Sequence, residues 1–208
     1  MTQAEIEERD CTEWFFRGDM TYQEYLAQDF WLKRLGENPR KCTLLFGDAI
    51  KSRFDNREEA EAGMATVTVP VWRVTKKGKS AGSASLRVHS ALAEDVQAIF
   101  TEIYNDPEQF PISGLGGYDW RGDNAVGEHN CGTAIDINPE QNYQVRDGQA
   151  LSGSFWKPDE DPYSIPEHGS VVRIFREHGW SWGGTAWSRS ADPAEGYHDY
   201  MHFSYMGG

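Results

Sequence analysis

Apolar residues near the start of the chain recur at helical spacing. Trp14, Phe15, Tyr22, Tyr25, Leu26, Phe30, Trp31 and Leu35 mark a helical stretch over residues 2–36. Gly36-Glu37-Asn38-Pro39 reads as its stop signal. A second, more charged helical stretch is expected from Leu44 to about Ala62. The period then changes. Ala65 to Thr75 (ATVTVPVWRVT) is β-branched and predicts a strand, in which Pro70 points to an edge or a bulge. Lys76-Lys77-Gly78-Lys79 supplies a hairpin-like turn, and Ser83 to Val88 the returning strand. Ser90 to Tyr104 predicts a helix with Leu92, Val96, Ile99, Phe100 and Ile103 on one stripe, ended by Asn105-Asp106-Pro107.

Beyond residue 110 the strands shorten, and glycine, proline, aromatics and histidine dominate. Val145 to Leu151 predicts a hairpin around Asp147-Gly148. Ser170 to His178 predicts a short helix closed by Gly179, and Tyr200 to Tyr205 a terminal strand. No repeat and no long linker divides the chain. The expected fold class is α+β: a small, mostly antiparallel sheet with packed helices. In domain terms, residues 1–62 form a helical extension of unassigned role and residues 63–208 the main unit.

Composition narrows the function. With 38% hydrophobic and 25% charged residues, the chain is a globular rather than a disordered one. Lys and Arg number 20 against 33 Asp and Glu, a formal charge of −13, which argues against nucleic-acid and anionic-membrane partners. No run approaches the ~20 apolar residues of a membrane span. The polar start, MTQAEIEERD, does not read as a signal peptide. Cys11, Cys42 and Cys131 are too few for a disulfide framework or a paired-cysteine zinc site, leaving room for one bridge, Cys11 to Cys42.

Two segments carry candidate chemistry: Gly127-Glu-His129-Asn-Cys-Gly132-Thr-Ala134-Ile-Asp136-Ile-Asn138-Pro139, and Tyr197-His198-Asp199-Tyr-Met-His202-Phe203. Gly132 and Ala134 are small, so a tight turn can bring His129 and Asp136 together. Ala134, Asp136 and Asn138 alternate with Ile135 and Ile137 in a strand pattern with one apolar face. Two imidazoles and a carboxylate (His129, Asp136, His202) suit zinc, and three protein ligands are the catalytic rather than the structural count. Asp199, three residues before His202, is placed for a general base.

The joint pattern HxxGxAxD followed by DxxHF resembles the VanY-like D-alanyl-D-alanine carboxypeptidases and the related L-alanyl-D-glutamate peptidases, a family of zinc peptidases. Gly179-Trp180-Ser-Trp182-Gly183-Gly184-Thr-Ala-Trp187 looks like part of that family's second motif block, and Asn138, Pro139 and Asn142 like the continuation of its first. The resemblance covers about residues 100–208 and hardly touches the first 60. It implies Zn²⁺ held by His129, Asp136 and His202, with Asp199 activating the water. It also implies that Arg121 binds substrate or stabilises the carbonyl oxygen. The implied substrate is a peptidoglycan stem peptide cut by a monomeric, extracytoplasmic or phage-encoded enzyme, most simply a carboxypeptidase. An L-alanyl-D-glutamate endopeptidase and an inactive zinc-bearing wall-binding module are the alternatives. Two places depart from the pattern: Gly127 stands where relatives carry serine, and Ser204 where relatives often carry glutamate, so a carboxylate behind the site is missing or replaced.

Several residues have plainer readings. His198 and His202 form HxxxH, but a strand there makes His198 a rim or supporting residue. Cys131 is expected as a buried thiol in a tight turn rather than a nucleophile. His89, His168 and His178 are expected at the surface or in structural roles. Glu128 would point away from His129 in an extended segment and is not a ligand candidate. Trp180, Trp182 and Trp187 fit either the core or a substrate wall, with Trp182 and Trp187 the wall candidates.

Overall fold

Asn56 caps a short helix by accepting a hydrogen bond from the Glu59 amide, and Gly63 ends it. From there the chain turns directly into a long hairpin. This local order is seen in a computed structural model that describes residues 38–48, 51–123, 125, 127–188 and 190–207. The expected helix over residues 2–36 lies outside the described residues. Helix α1 spans Asn38–Phe46 and α2 spans Arg57–Ala62. Asn38-Pro39, expected within a stop signal, lies in the first turn of α1, where proline is tolerated. The stretch expected from Leu44 to Ala62 is also broken, because Gly47 adopts φ +72° and residues 51–56 are not helical.

Strands β1 (Met64–Thr75) and β2 (Gly78–His89) pair antiparallel from Met64↔His89 to Thr75↔Gly78. Pro70 sits opposite Ser83 in this two-stranded ribbon, whose strands are both edges, so its missing N–H disrupts no inner ladder. Val67, Val69 and Val71 alternate inward. They share one core with Val96, Ile99, Phe100 and Ile103 of α3 (Ala93–Asn105) and with Val171, Val172, Ile174 and Phe175 of α4 (Ser170–Glu177). Burying each such side chain contributes about 1.5–3 kcal/mol. Cys42 and Leu45 of α1 join the same core, and Lys41 Nζ donates to the carbonyls of Gly179 (3.2 Å) and Tyr205 (2.6 Å).

The remaining strands form two small antiparallel sheets rather than one. The first has the order β3 (Leu115–Gly116), β4 (Ala134–Ile137), β9 (His202–Ser204), β7 (Ser181–Trp182). The second has the order β6 (Gln149–Trp156), β5 (Asn142–Arg146), β8 (Tyr197–Asp199). Asp147 and Gly148 both take positive φ in the β5–β6 turn, as the Asp-Gly pair predicts. The architecture is α+β, with helices packed on small antiparallel sheets. The expected terminal strand over Tyr200 to Tyr205 is replaced by two pieces: the chain leaves one sheet after Asp199, turns at Tyr200-Met201 and enters the other at His202.

Candidate metal centre

The turn and the register together build the site. Residues Glu128–Cys131 make one 3₁₀ turn, and Gly132 ends it at φ +63°. A β-carbon on Gly132 would lie 2.5 Å from the His89 amide nitrogen, so only glycine fits. The chain then enters β4, where Asp136 pairs directly with His202 of β9. His129 comes from the turn, Asp136 from β4 and His202 from β9, and one ligand atom from each lies within 4.8 Å of the others.

The contacts define which atoms face one another. His129 Nε2 is 3.2 Å from Asp136 Oδ2, and His202 Nδ1 is 3.1 Å from Asp136 Oδ1. His129 Nδ1 lies 2.7 Å from the Gly117 carbonyl, which fixes the ring from behind. Gly117 is pressed against the ribbon: a β-carbon there would lie 2.2 Å from the Arg87 carbonyl oxygen. Burial opposes the Asp136 charge, but hydrogen bonds from His129 and His202 outweigh it and hold the carboxyl below the usual range. Burial likewise opposes charge on His202, but Asp136 and Glu128 lift its pKa well above the ordinary value.

Asp199 approaches from the other sheet. Its amide donates to the Gly183 carbonyl at 3.0 Å, while the Gly183 amide donates to the His202 carbonyl at 2.8 Å, so one glycine spaces the two residues. A side chain at Gly183 would meet the Asp199 carbonyl oxygen at 2.4 Å. Asp199 pairs in register with Gln144, whose Nε2 donates to Asp199 Oδ2 at 3.1 Å and also contacts the Tyr197 hydroxyl. Oδ1 is buried with no hydrogen-bond partner among the described residues. Burial pushes the Asp199 carboxyl up to about 7; the Asp136 charge adds to this, while His202, His129 and Arg121 pull the other way.

The sequence-derived candidates divide by placement. His129, Asp136 and His202 come together with Asp199 within electrostatic reach. The Arg121 side chain is about half exposed, with Nε 3.0 Å from Asp119 Oδ2. Its backbone amide donates to Asn130 Oδ1 at 2.7 Å, which ties this loop to the His129 turn. Trp187 is half-buried, with its ring 6.1 Å from that of His202. Trp182, a substrate-wall candidate, belongs instead to the core. It is fully buried beside Trp156 and Tyr200, and its indole donates to the Tyr200 carbonyl at 2.9 Å. Trp180 is core as well, donating to Asp95 Oδ2 at 2.9 Å.

The supporting place expected of His198 and the buried thiol expected of Cys131 are seen, and the outward placement expected of Glu128 is not. His198 has Nδ1 2.8 Å from the Gly184 carbonyl and Nε2 2.7 Å from that of Glu195, so both nitrogens are engaged away from the triad. Burial pushes the Cys131 thiol up to about 12, which leaves no thiolate for a nucleophile near neutral pH. Cys42 is also a buried free thiol, and Cys11 lies outside the described residues. His168 is exposed, while His89 accepts from the Ala91 amide and His178 pairs with Asp95. Glu128 and Gln144 are the residues that sequence reasoning passed over. Periodicity alone placed Glu128 on the wrong side of an extended segment, and nothing in the sequence pairs Gln144 with Asp199.

The donor set fits a zinc-type ion. Two imidazole nitrogens and a carboxylate oxygen match its ligand preference. Close to this group in the electrostatics, Asp199 keeps a buried acceptor, Oδ1, with no partner among the described residues. The α+β scaffold thus carries a His/Asp/His group able to hold a metal ion, with a buried acid in electrostatic reach of it. Residues 121–205 match the family described as D-alanyl-D-alanine carboxypeptidase, a peptidase family and hence one of hydrolases. That segment contains every metal-ligand candidate, Asp199 and Arg121. Comparison with curated proteins and with solved structures gives no match.

Proposed function

We propose that this protein is a zinc-dependent peptidase that hydrolyses peptidoglycan stem peptides, and that it acts as a D-alanyl-D-alanine carboxypeptidase. The observation that carries the reading is the convergence of His129, Asp136 and His202 with a buried, unpartnered Asp199 oxygen inside the matched segment. His129 Nε2, Asp136 and His202 Nδ1 would hold the ion. When bound, zinc supplies a Lewis acid and draws the pKa of coordinated water from ~16 toward ~7. Asp199 takes a proton at Oδ1 and returns it to the leaving amine, while Gln144 holds Oδ2. Arg121 stabilises charge on the carbonyl oxygen, and Trp187 walls the substrate. No side-chain nucleophile is required. Residues 63–208 are the catalytic unit, with 1–62 appended to it. The substrate lies outside the cytoplasm, so the enzyme works there.

The test joins metal analysis of the purified chain to mass spectrometry of a stem pentapeptide ending in D-Ala-D-Ala. About one zinc per chain and loss of a single D-Ala are expected. An internal cut would move the assignment to an L-alanyl-D-glutamate endopeptidase. Zinc without cleavage of pentapeptide or whole sacculi would make it a wall-binding module, and absence of zinc binding would overturn the reading.

A further inference from the structure

The two ring nitrogens of His202 have different neighbours. Nδ1 faces Asp136 and the metal group, while Nε2 points to the rear, 3.3 Å from Glu128 Oε2. Glu128 is 7% exposed, and no lysine or arginine lies within ion-pair distance among the described residues. Its other oxygen, Oε1, accepts from Ser204 Oγ at 2.6 Å, and Ser204 Oγ in turn accepts from the Gly207 amide at 2.7 Å. His202 and Ser204 are two residues apart on β9, so they share a face, and one carboxylate reaches both. Glu128 gets there because residues 128–131 wrap as a turn; the Thr133 amide and hydroxyl both donate back to the Glu128 carbonyl at 3.2 Å. Burying a carboxylate is costly unless hydrogen bonds hold it, so its placement against His202 needs a reason.

We propose that Glu128 is a positioning residue for the metal centre. By accepting the Nε2 hydrogen of His202 it fixes the tautomer whose Nδ1 lone pair faces Asp136 and His129. Ser204 and the Gly207 amide lock the carboxylate in place. A histidine that binds a metal through one nitrogen gains basicity and a fixed ring when a carboxylate holds the other. Position 204 ends in a hydroxyl here, and the carboxylate arrives from the 3₁₀ turn, beside the first histidine. The inference rests on the metal reading given above.

The test compares zinc affinity of the full chain, by competition with a chromophoric chelator, for wild type, Glu128→Gln, Glu128→Ala and Ser204→Ala. Melting of each metal-free form is recorded alongside. Glu128→Ala is expected to weaken zinc binding about 10- to 100-fold. Glu128→Gln should fall less, because its amide oxygen still accepts from Nε2, and Ser204→Ala should lose a few-fold. Metal-free melting temperatures should not follow this order. If Glu128→Ala does not fold, Glu128→Gln and Ser204→Ala carry the comparison. Affinities within about twofold of wild type in the folded variants overturn the positioning role and leave the zinc reading standing. Failure of the wild type itself to bind zinc overturns both.

Discussion

Asp199 joins burial, a raised pKa and one oxygen without a hydrogen-bond partner among the described residues, a costly combination for a side chain with no task. Its proposed role separates cleanly from that of the proposed metal ligands. His129→Ala or His202→Ala should abolish stoichiometric zinc. Asp199→Ala should keep zinc, measured by metal analysis, and lose about 10²–10⁴-fold in turnover, measured by release of D-Ala. Normal turnover in that variant would remove it as general base. Arg121→Ala should likewise keep zinc and lower kcat/KM by about 10²-fold. Unchanged kinetics would leave Arg121 only its structural link through Asn130.

At the level of elements, two residues of the motif block tie the scaffold together. Asn138 follows β4 at φ +49°, a left-handed conformation that asparagine tolerates. Its Oδ1 accepts from the Ser113 and Gly114 amides, and its Nδ2 donates to the carbonyls of Pro111 and Tyr163. Asn142 closes the other side, accepting from the Ile165 amide at 2.6 Å. Asn138→Ala would orphan several buried groups and leave alanine in a strained backbone, so chemical denaturation should show a loss of about 2–4 kcal/mol. A loss below about 0.5 kcal/mol, within the range of ordinary surface changes, would refute this anchoring role. His178 joins α4 to α3 through Asp95 at 2.6 Å and Glu102 at 3.2 Å. Partial burial opposes its charge, but those two carboxylates outweigh it and raise the pKa above the ordinary ~6.5. A raised pKa means stability that is full below ~6.5 and lost as pH rises through the folded value. His178→Asn should therefore melt below wild type at pH 6, by about 1 kcal/mol after solvent screening, and the gap should narrow by pH 9. A gap that widened with pH would contradict the ion pairs.

For the whole molecule, the site is a junction between two sheets, with His202 and Asp136 in one and Asp199 in the other. The ligand candidates come from one sheet and the turn that leads into it, and an ion that binds only the folded chain should stabilise it. Zinc at a hundredfold excess over Kd adds about 2.7 kcal/mol, which for a chain of this size corresponds to roughly 5–10 °C in melting temperature. A chelator should reverse the gain. No shift in a protein shown to bind zinc would mean that the unfolded chain binds the ion as well.

The amino-acid sequence by itself determined the local features. Alternation of β-branched residues marked the long ribbon, and the stripe of α3 and the Asp-Gly turn were legible from spacing and backbone preference. The ligand candidates were visible because histidine and aspartate at fixed offsets around small residues are a local signal. What only the tertiary structure decided depends on partners distant in sequence. Glu128 turns inward because a 3₁₀ turn replaces an extended segment. Gln144 meets Asp199 through strand register, Trp182 is taken by the core, and the terminal strand splits between two sheets. Each of these depends on which surfaces pack together, and a one-dimensional pattern of polar and apolar residues does not encode that choice.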